Sequence, residues 1–196
     1  MKHLKYLLLG AFTLIFITSA TIVNKYMLDK DYAVTIHGTS NLHSWDEDVQ
    51  TVTGDAIINW NEAKSFDLNA IHIKMEVHSI KSHEGSGMNN NTYKALKADA
   101  NPAITFVLTS PLKSMKANST ENNVSMMGSL SIAGVTKPIA MKVKLVMDSQ
   151  SKLTIEGSQI IKMADYDVSP PTALFGTIKT GDSITLNFKG SFIISN

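Results

Sequence analysis

Residues 139–147 read Ile-Ala-Met-Lys-Val-Lys-Leu-Val-Met, and this stretch decides the fold class. Apolar side chains occupy every second position from Ile139 to Met147, whereas Lys142 and Lys144 lie between them. Side chains along a β-strand point alternately to the two faces of the sheet. The stretch therefore predicts a strand with one buried face and one solvated face, as is common in antiparallel sheets.

The same alternation recurs along the rest of the chain. Further candidate strands lie at 32–36, around 52–60, and at 68–80, 104–108, 124–132, 153–163 and 184–192. This makes about eight strands, which turn-forming residues separate. Gly181-Asp182, for example, precedes the last of them as a hairpin turn would.

A single open sheet of eight strands would leave unpaired edges, so it should close into a barrel or split into a sandwich. The candidate strands near 68–80 and 138–163 are long, which favours a tall barrel. We therefore expect an all-β protein, an extended antiparallel eight-stranded lipocalin-like β-barrel. One short helix is predicted at 92–98, where good helix formers precede Asn101-Pro102.

The composition fits one globular domain. The chain has 196 residues, of which 43% are hydrophobic and 18% charged. It contains no cysteine, which excludes disulfides, thiol catalysis and cysteine-ligated metals. All 18 basic residues are lysines and the net charge is +1. Because nucleic-acid recognition favours clustered cations and the arginine fork, we expect no nucleic-acid partner.

The N-terminus has the pattern of an export signal. A basic start is followed by a mostly apolar run at 6–18 and by small residues at 18–20. We interpret 1–20 as a signal peptide, 21–30 as an N-terminal linker and 31–196 as the barrel domain. The alternative is an uncleaved anchor, since the uncharged run can be extended to 6–23. Both interpretations place the barrel outside the cytoplasm, in the periplasm or secreted, and cleavage would leave no membrane span.

The apolar face of the predicted strands suggests what the barrel holds. Eight strands enclose a space wide enough for side chains or one small ligand. A lining of Ile, Met, Leu and Phe would be dry and would favour an apolar guest, and flexible Met side chains would adapt to its shape. An outer-membrane barrel reverses the pattern, with apolar residues outside and a polar lumen. Alternation alone does not distinguish these two arrangements.

The histidines give little support to catalysis or metal binding. His72 and His78 lie on one strand face, about 20 Å apart at the usual strand rise, and cannot share a metal ion. His37 and His43 could approach each other across a turn, next to the acidic run at 46–48. We keep an enzyme built on them as a minor hypothesis, and predict no enzyme activity, no catalytic residue, no metal site and no cofactor.

Several motifs resemble those of the YceI-like family. They occur in the family's order: Gly-Thr-Ser-Asn-Leu-His-Ser-Trp at 38–45, Met88 with Ala-Leu-Lys-Ala at 95–98, Asn-Pro-Ala-Ile-Thr-Phe at 101–106, Gly-x-Leu-x-Ile-x-Gly-Val-Thr-Lys-Pro at 128–138, Asp-Tyr-Asp through Pro-Pro at 165–171, and Gly-Asp at 181–182. The resemblance implies an exported lipocalin-like barrel. Some members hold a polyisoprenoid chain in a long apolar channel, and some form dimers.

The two lines of inference lead to one functional hypothesis. The chain is an exported carrier that holds an amphiphilic apolar ligand, a polyisoprenoid or isoprenoid quinone, inside the barrel. The alternative is a structural or stress-related envelope protein whose barrel is filled by its own side chains. A homodimer is possible. The expected lining residues are Ile73, Met75, Ile104, Phe106, Ile132, Met141, Val143 and Leu145, and the expected mouth residues are His43, Trp45 and Phe175.

Overall fold

The structure is a computed structural model that describes residues 23–61 and 64–195. The predicted signal peptide, 1–20, lies outside the described residues. Within them the chain forms thirteen strands and one α-helix. The strands are β1 (Val23–Leu28), β2 (Ala33–Ser40), β3 (Ser44–Val49), β4 (Val52–Asn61), β5 (Ser65–Glu76), β6 (Ile80–Ser82), β7 (Ala103–Leu108), β8 (Leu112–Lys116), β9 (Glu121–Ile132), β10 (Val135–Met147), β11 (Leu153–Lys162), β12 (Thr172–Ala173) and β13 (Ile178–Ile194), and the helix is α1 (Ser86–Ala95).

Eight of these strands close into a barrel. Their order is β1-β4-β5-β7-β9-β10-β11-β13, every pairing is antiparallel, and β13 pairs with β1 to complete the ring. Met27 of β1, for example, lies opposite both Ile193 of β13 and Asp55 of β4. The predicted eight-stranded antiparallel barrel with one short α-helix is confirmed.

The barrel is extended because three of its strands continue beyond a break. β1 continues into β2, β4 is preceded by β3, and β5 continues into β6, with interruptions at 29–32, 50–51 and the 3₁₀ turn Val77–Ser79. The breaks are neighbours, and the Tyr32 hydroxyl donates a hydrogen bond to the Gln50 carbonyl across them at 2.8 Å. β6 then ends the sheet order, and α1 lies against it.

Several boundaries differ from the sequence prediction. The predicted linker, 21–30, contains β1, so the barrel begins before residue 31. β1 is short and shows little alternation, and its pairing with both β4 and β13 determines its conformation. The sequence does not predict β3 as a strand, because three of the six residues in SWDEDV are acidic. Gly181-Asp182 is not a hairpin turn but an irregularity inside β13.

The helix also begins earlier than predicted, at Ser86 and not at Thr92. The first part of α1 is rich in Asn and Gly, which are weak helix formers. Contacts with β6 support it: Asn89 Oδ1 accepts a hydrogen bond from the Ser82 amide at 2.7 Å. Tertiary contacts here override local propensity. No helix among the described residues has the length and apolarity needed to cross a membrane.

The interior of the barrel has two different halves. The half that carries the β4–β5, β8–β9 and β10–β11 connections is filled by fully buried side chains, and we call it the packed end. Its members include Tyr26, Ile58, Phe66, Leu68, Leu145, Met147 and Leu153. The other half carries the β2–β3 turn, α1, the β9–β10 turn and residues 163–178, and we call it the helix end. Because the apolar stripes face inward along the barrel, the polar lumen of an outer-membrane barrel does not fit this chain.

Candidate functional site

A cavity of about 400 Å³ lies inside the barrel at the helix end. This volume falls within the range of about 300–1,000 Å³ that is common for small-molecule sites. α1 forms one side of the cavity, and the segment 163–173 forms another. The strands contribute a mainly apolar wall, formed by Ile36, Trp45, Ile104, Ile132, Ile161, Ile178 and Ile184 together with Glu47.

A second, narrower cavity of about 90 Å³ follows along the barrel axis. Along a single strand, one inward-facing side chain lines the larger cavity and the next inward-facing side chain lines the narrower one. Ile104 lines the larger cavity and Phe106 the narrower one, and Ile132 and Leu130 divide in the same way. The two cavities are therefore consecutive levels of one apolar interior, and the packed end lies beyond them.

The structure places most of the residues predicted from sequence on these two cavities. Four line the larger cavity: Ile104, Ile132, His43 and Trp45. Four line the narrower one: Ile73, Met75, Phe106 and Met141.

The other three line neither cavity. Val143 and Leu145 are buried. Phe175 has a positive φ of 54° in the turn Leu174–Gly176, and its side chain is fully exposed. The structure therefore does not bring Phe175 to the mouth of the cavity, because the backbone turn directs the ring into solvent.

Glu47 is a buried charged residue of this site that the sequence analysis mentioned only as part of the acidic run at 46–48. Its side chain faces inward from β3, is 1% exposed and lines the larger cavity. The Thr92 hydroxyl of α1 donates a hydrogen bond to Glu47 Oε1 at 2.7 Å. Burial raises the pKa of the Glu47 carboxyl, and the Thr92 hydrogen bond opposes that rise. Alternation would have located it, because Trp45 and Val49 lie two residues before and after it on the same face.

Replacing Glu47 with Gln should stabilise the protein at neutral pH and leave its stability unchanged in acid. Because the folded-state pKa lies above the usual value of 4.5, the native state binds more protons than the unfolded state above this pH. The wild-type protein therefore loses stability as pH rises through this window, and the variant does not. Urea unfolding at pH 4.5 and pH 8 measures the difference. Glu84→Gln, at the exposed mouth, is the control, and an equal effect of Glu47→Gln at both pH values would contradict this expectation.

Trp45 forms the wall beside Glu47. Its ring lies directly over Gly38, the residue paired with it on β2, and a Cβ at Gly38 would overlap the indole. The glycine therefore makes room for the ring on the cavity wall. Trp45 Nε1 is buried and has no hydrogen-bond acceptor among the described residues.

Replacing Gly38 with Ala should lower the free energy of unfolding by about 1–3 kcal/mol, because the added methyl group overpacks the Trp45 ring. Gly87→Ala is the matched control. A Cβ at Gly87 meets no atom within 4 Å, and the residue lies in the first turn of α1, so alanine there should not lower the free energy of unfolding. Urea denaturation of both variants provides the test, and a Gly38→Ala protein as stable as the wild type would contradict it.

The histidines do not converge on a common centre. His43 lies at the cavity mouth with its Nδ1 3.3 Å from Glu84 Oε1. His37 lies on a different face, where its Nδ1 is 2.8 Å from Asp46 Oδ1 on the outer surface of the barrel. Within residues 23–61 and 64–195, no group of three or more potential ligands could hold a metal ion. The geometry gives no support to the minor hypothesis of an enzyme built on these two residues.

A larger concavity, of about 840 Å³, lies on the outside of the barrel across β9, β10, β11 and β13. It is open to solvent, and charged side chains line it. Glu156 lies 3.5 Å from Lys144 and 3.7 Å from Lys189, so these three charges interact with one another on the outer face of the sheet. We assign this groove to the solvated outer surface, because it is wide open to solvent and lysine and glutamate side chains line it, whereas a small-molecule site usually buries most of its ligand.

Solved structures show the same fold. A polyisoprenoid-binding domain from Saccharophagus degradans is 13% identical and has a TM-score of 0.66, covering 87% of this chain and 98% of its own. BcnA from Burkholderia cenocepacia is 17% identical with a TM-score of 0.60, and the match covers 84% and 98% of the two chains. A YCEI protein from Campylobacter jejuni is 19% identical with a TM-score of 0.51, covering 100% and 99%.

Sequence comparison is decisive for the family. No curated protein matches the chain at a significant level. The family model of the YceI-like domain, however, matches residues 22–192, which is most of the 196-residue chain. That span includes both cavities described above and all the barrel strands except the last two residues of β13. The chain therefore belongs to the YceI-like family.

Proposed function

We propose that this chain is an exported binding protein that holds an amphiphilic apolar ligand, a polyisoprenoid or an isoprenoid quinone, in the interior of the barrel. The observation that carries the proposal is the cavity of about 400 Å³ with a mainly apolar wall at the helix end. The solved structure from Saccharophagus degradans is a polyisoprenoid-binding domain, which supports the same class of ligand here.

The energetics of such binding rest on apolar burial. Each methylene group removed from water contributes about 0.8 kcal/mol, so a five-carbon isoprene unit contributes about 4 kcal/mol at most. A few units outweigh the loss of translational and rotational freedom, although the net affinity stays well below the sum. No bond is made or broken, and the protein acts by sheltering the chain from water.

The interior of the barrel supports this function over that of a structural barrel. A barrel filled by its own side chains would resemble the packed end throughout its length. Here Ile104 and Ile132 line an open space instead of meeting side chains from the opposite wall. We therefore favour a carrier, located in the periplasm or secreted, over a structural envelope protein.

A homodimer is a subsidiary part of the proposal. Six large apolar side chains are exposed on the barrel strands: Met27, Val107, Met127, Ile160, Ile193 and Ile194. Such side chains are common on monomeric proteins as well. Size-exclusion chromatography with light scattering would measure the oligomeric state directly.

Native mass spectrometry of the protein purified from its own envelope or medium tests the carrier proposal. We expect a stoichiometric apolar molecule, which organic extraction would release for identification. The delipidated protein should then bind a long-chain prenol or a ubiquinone added in solution. A protein that arrives without a bound molecule and binds neither probe up to its solubility limit would overturn the proposal in favour of the structural alternative.

A further inference from the structure

The apolar cavity contains two polar side chains that lie next to each other on one wall. Trp45 and Glu47 both face inward from β3 and are two residues apart, so their Cα atoms are about 6–7 Å from each other. Both are more than nine-tenths buried, with exposed fractions of 7% and 1%. A passive lining for a hydrocarbon chain does not need either polar group.

Trp45 and Glu47 each have a polar atom without a hydrogen-bond partner among the described residues. The Trp45 indole Nε1–H can only donate, and it has no acceptor among the described residues. Glu47 Oε1 accepts from the Thr92 hydroxyl, whereas Oε2 has no hydrogen-bond partner in the described part of the chain. Buried polar groups in native proteins almost always have partners, so the indole N–H of Trp45 and the second carboxylate oxygen of Glu47 are the polar groups of this wall that are left for a ligand.

The charges around the cavity restrict what can occupy this position. The described residues that line it include two carboxylates, Glu47 and Glu84, and one histidine, His43, but no lysine. A phosphate or carboxylate head group beside Glu47 would have no cation to balance it in a poorly solvated space. The repulsion between like charges is strongest in such a space, so the wall disfavours an anionic ligand.

We propose that Trp45 and Glu47 form a head-group site that binds a neutral hydroxyl. The oxygen of the ligand hydroxyl accepts a hydrogen bond from Trp45 Nε1–H. The same hydroxyl donates a hydrogen bond to Glu47 Oε2. Thr92 positions the carboxylate through Oε1. The hydrocarbon part of the same ligand lies against the apolar wall at Ile104 and Ile132. This inference rests on the proposed function and specifies its ligand as an apolar chain that ends in an alcohol or phenol.

Three probes with the same tail test the inference on the delipidated wild-type chain: farnesol, farnesyl methyl ether and farnesyl phosphate. The ether can accept a hydrogen bond but cannot donate one, and the phosphate is an anion. We expect farnesol to bind about 5- to 10-fold more tightly than the ether, which is the effect of one buried hydrogen bond. Farnesyl phosphate should bind at least about 10-fold more weakly than farnesol, since a like charge costs at least as much as a lost hydrogen bond.

Two variants assign the preference to the named side chains. Glu47→Leu should reduce the preference for farnesol over the ether to less than about two-fold, because the acceptor of the hydroxyl proton is gone. Trp45→Phe should weaken the binding of farnesol and of the ether alike, because it removes the donor that both oxygens use. Trp60→Phe is the matched control. The Trp60 indole donates to the Tyr26 hydroxyl at 3.3 Å in the packed end, so this variant should retain the wild-type preference.

The outcomes distinguish failure of the head-group site from failure of the carrier proposal. Equal affinity of the wild type for farnesol and the ether, or tightest binding of the phosphate, would overturn the head-group site and leave the carrier proposal intact. Failure of all three probes to bind would overturn the carrier proposal and this inference with it. The wild-type comparison requires no variant to fold, and circular dichroism would verify the fold of the variants.

Discussion

Replacing Phe66 with Ala should lower the free energy of unfolding by about 3–5 kcal/mol, because it opens a cavity in a region that is filled on all sides. Phe66 is fully buried in the packed end, where Ile58 and Leu68 are equally buried. Its ring also lies 6.1 Å from that of Trp60, centroid to centroid. Urea unfolding followed by circular dichroism measures the loss.

Phe106→Ala is the matched control for this prediction. Phe106 is also buried, but one side of its ring faces the narrower cavity. It has fewer packing neighbours to lose, so its truncation should cost less, near the lower end of the range of about 3–5 kcal/mol. A Phe66→Ala protein that loses less stability than Phe106→Ala would show that the packed end is not the main stabilising half of the barrel.

Replacing Ala95 with Trp should abolish ligand binding, with a loss in affinity of about 100-fold or more, which corresponds to about 2.7 kcal/mol. Ala95 lies on α1, and its side chain lines the larger cavity. An indole there would occupy space that the ligand needs, while the hydrophobic contacts it makes should keep the fold stable. Titration with a prenol or a ubiquinone, by calorimetry or native mass spectrometry, provides the measurement.

Ala100→Trp is the control for steric blocking. Ala100 follows α1, is exposed and does not line the cavity, so an indole there should leave the affinity unchanged within about two-fold, since exposed substitutions usually have small effects. Wild-type affinity of a folded Ala95→Trp protein would mean that the ligand binds elsewhere. The outer groove across β9 to β13 would then become the next candidate.

The part of the site that could be predicted is the part encoded by alternation. Ile104 and Phe106 were assigned to the interior because they occupy every second position of a strand, and both line a cavity. Phe175 was expected at the mouth, but it is exposed. Its position depends on a positive φ in a turn, for which local alternation contains no information.

Glu47 shows a different limit of the sequence argument. An acidic residue between Asp46 and Asp48 is ordinarily expected in solvent, because burial of a carboxylate is costly. The strand nevertheless places Glu47 inside, since Asp46 and Asp48 occupy the outward positions of β3 and pair there with His37 and His83. Thr92, which satisfies one oxygen of Glu47, lies 45 residues away along the chain.

The sequence by itself indicated an antiparallel barrel and determined which side chains share one face of each strand. Those properties follow from the two-residue period of a strand, which is local. Only the tertiary structure decided that one half of the interior is filled and the other is open. That division depends on where α1 and the segment 163–173 cover the helix end, on the breaks in three neighbouring strands, and on how far the opposite walls stand apart. These are distances between residues remote in sequence, so they arise only when the barrel closes.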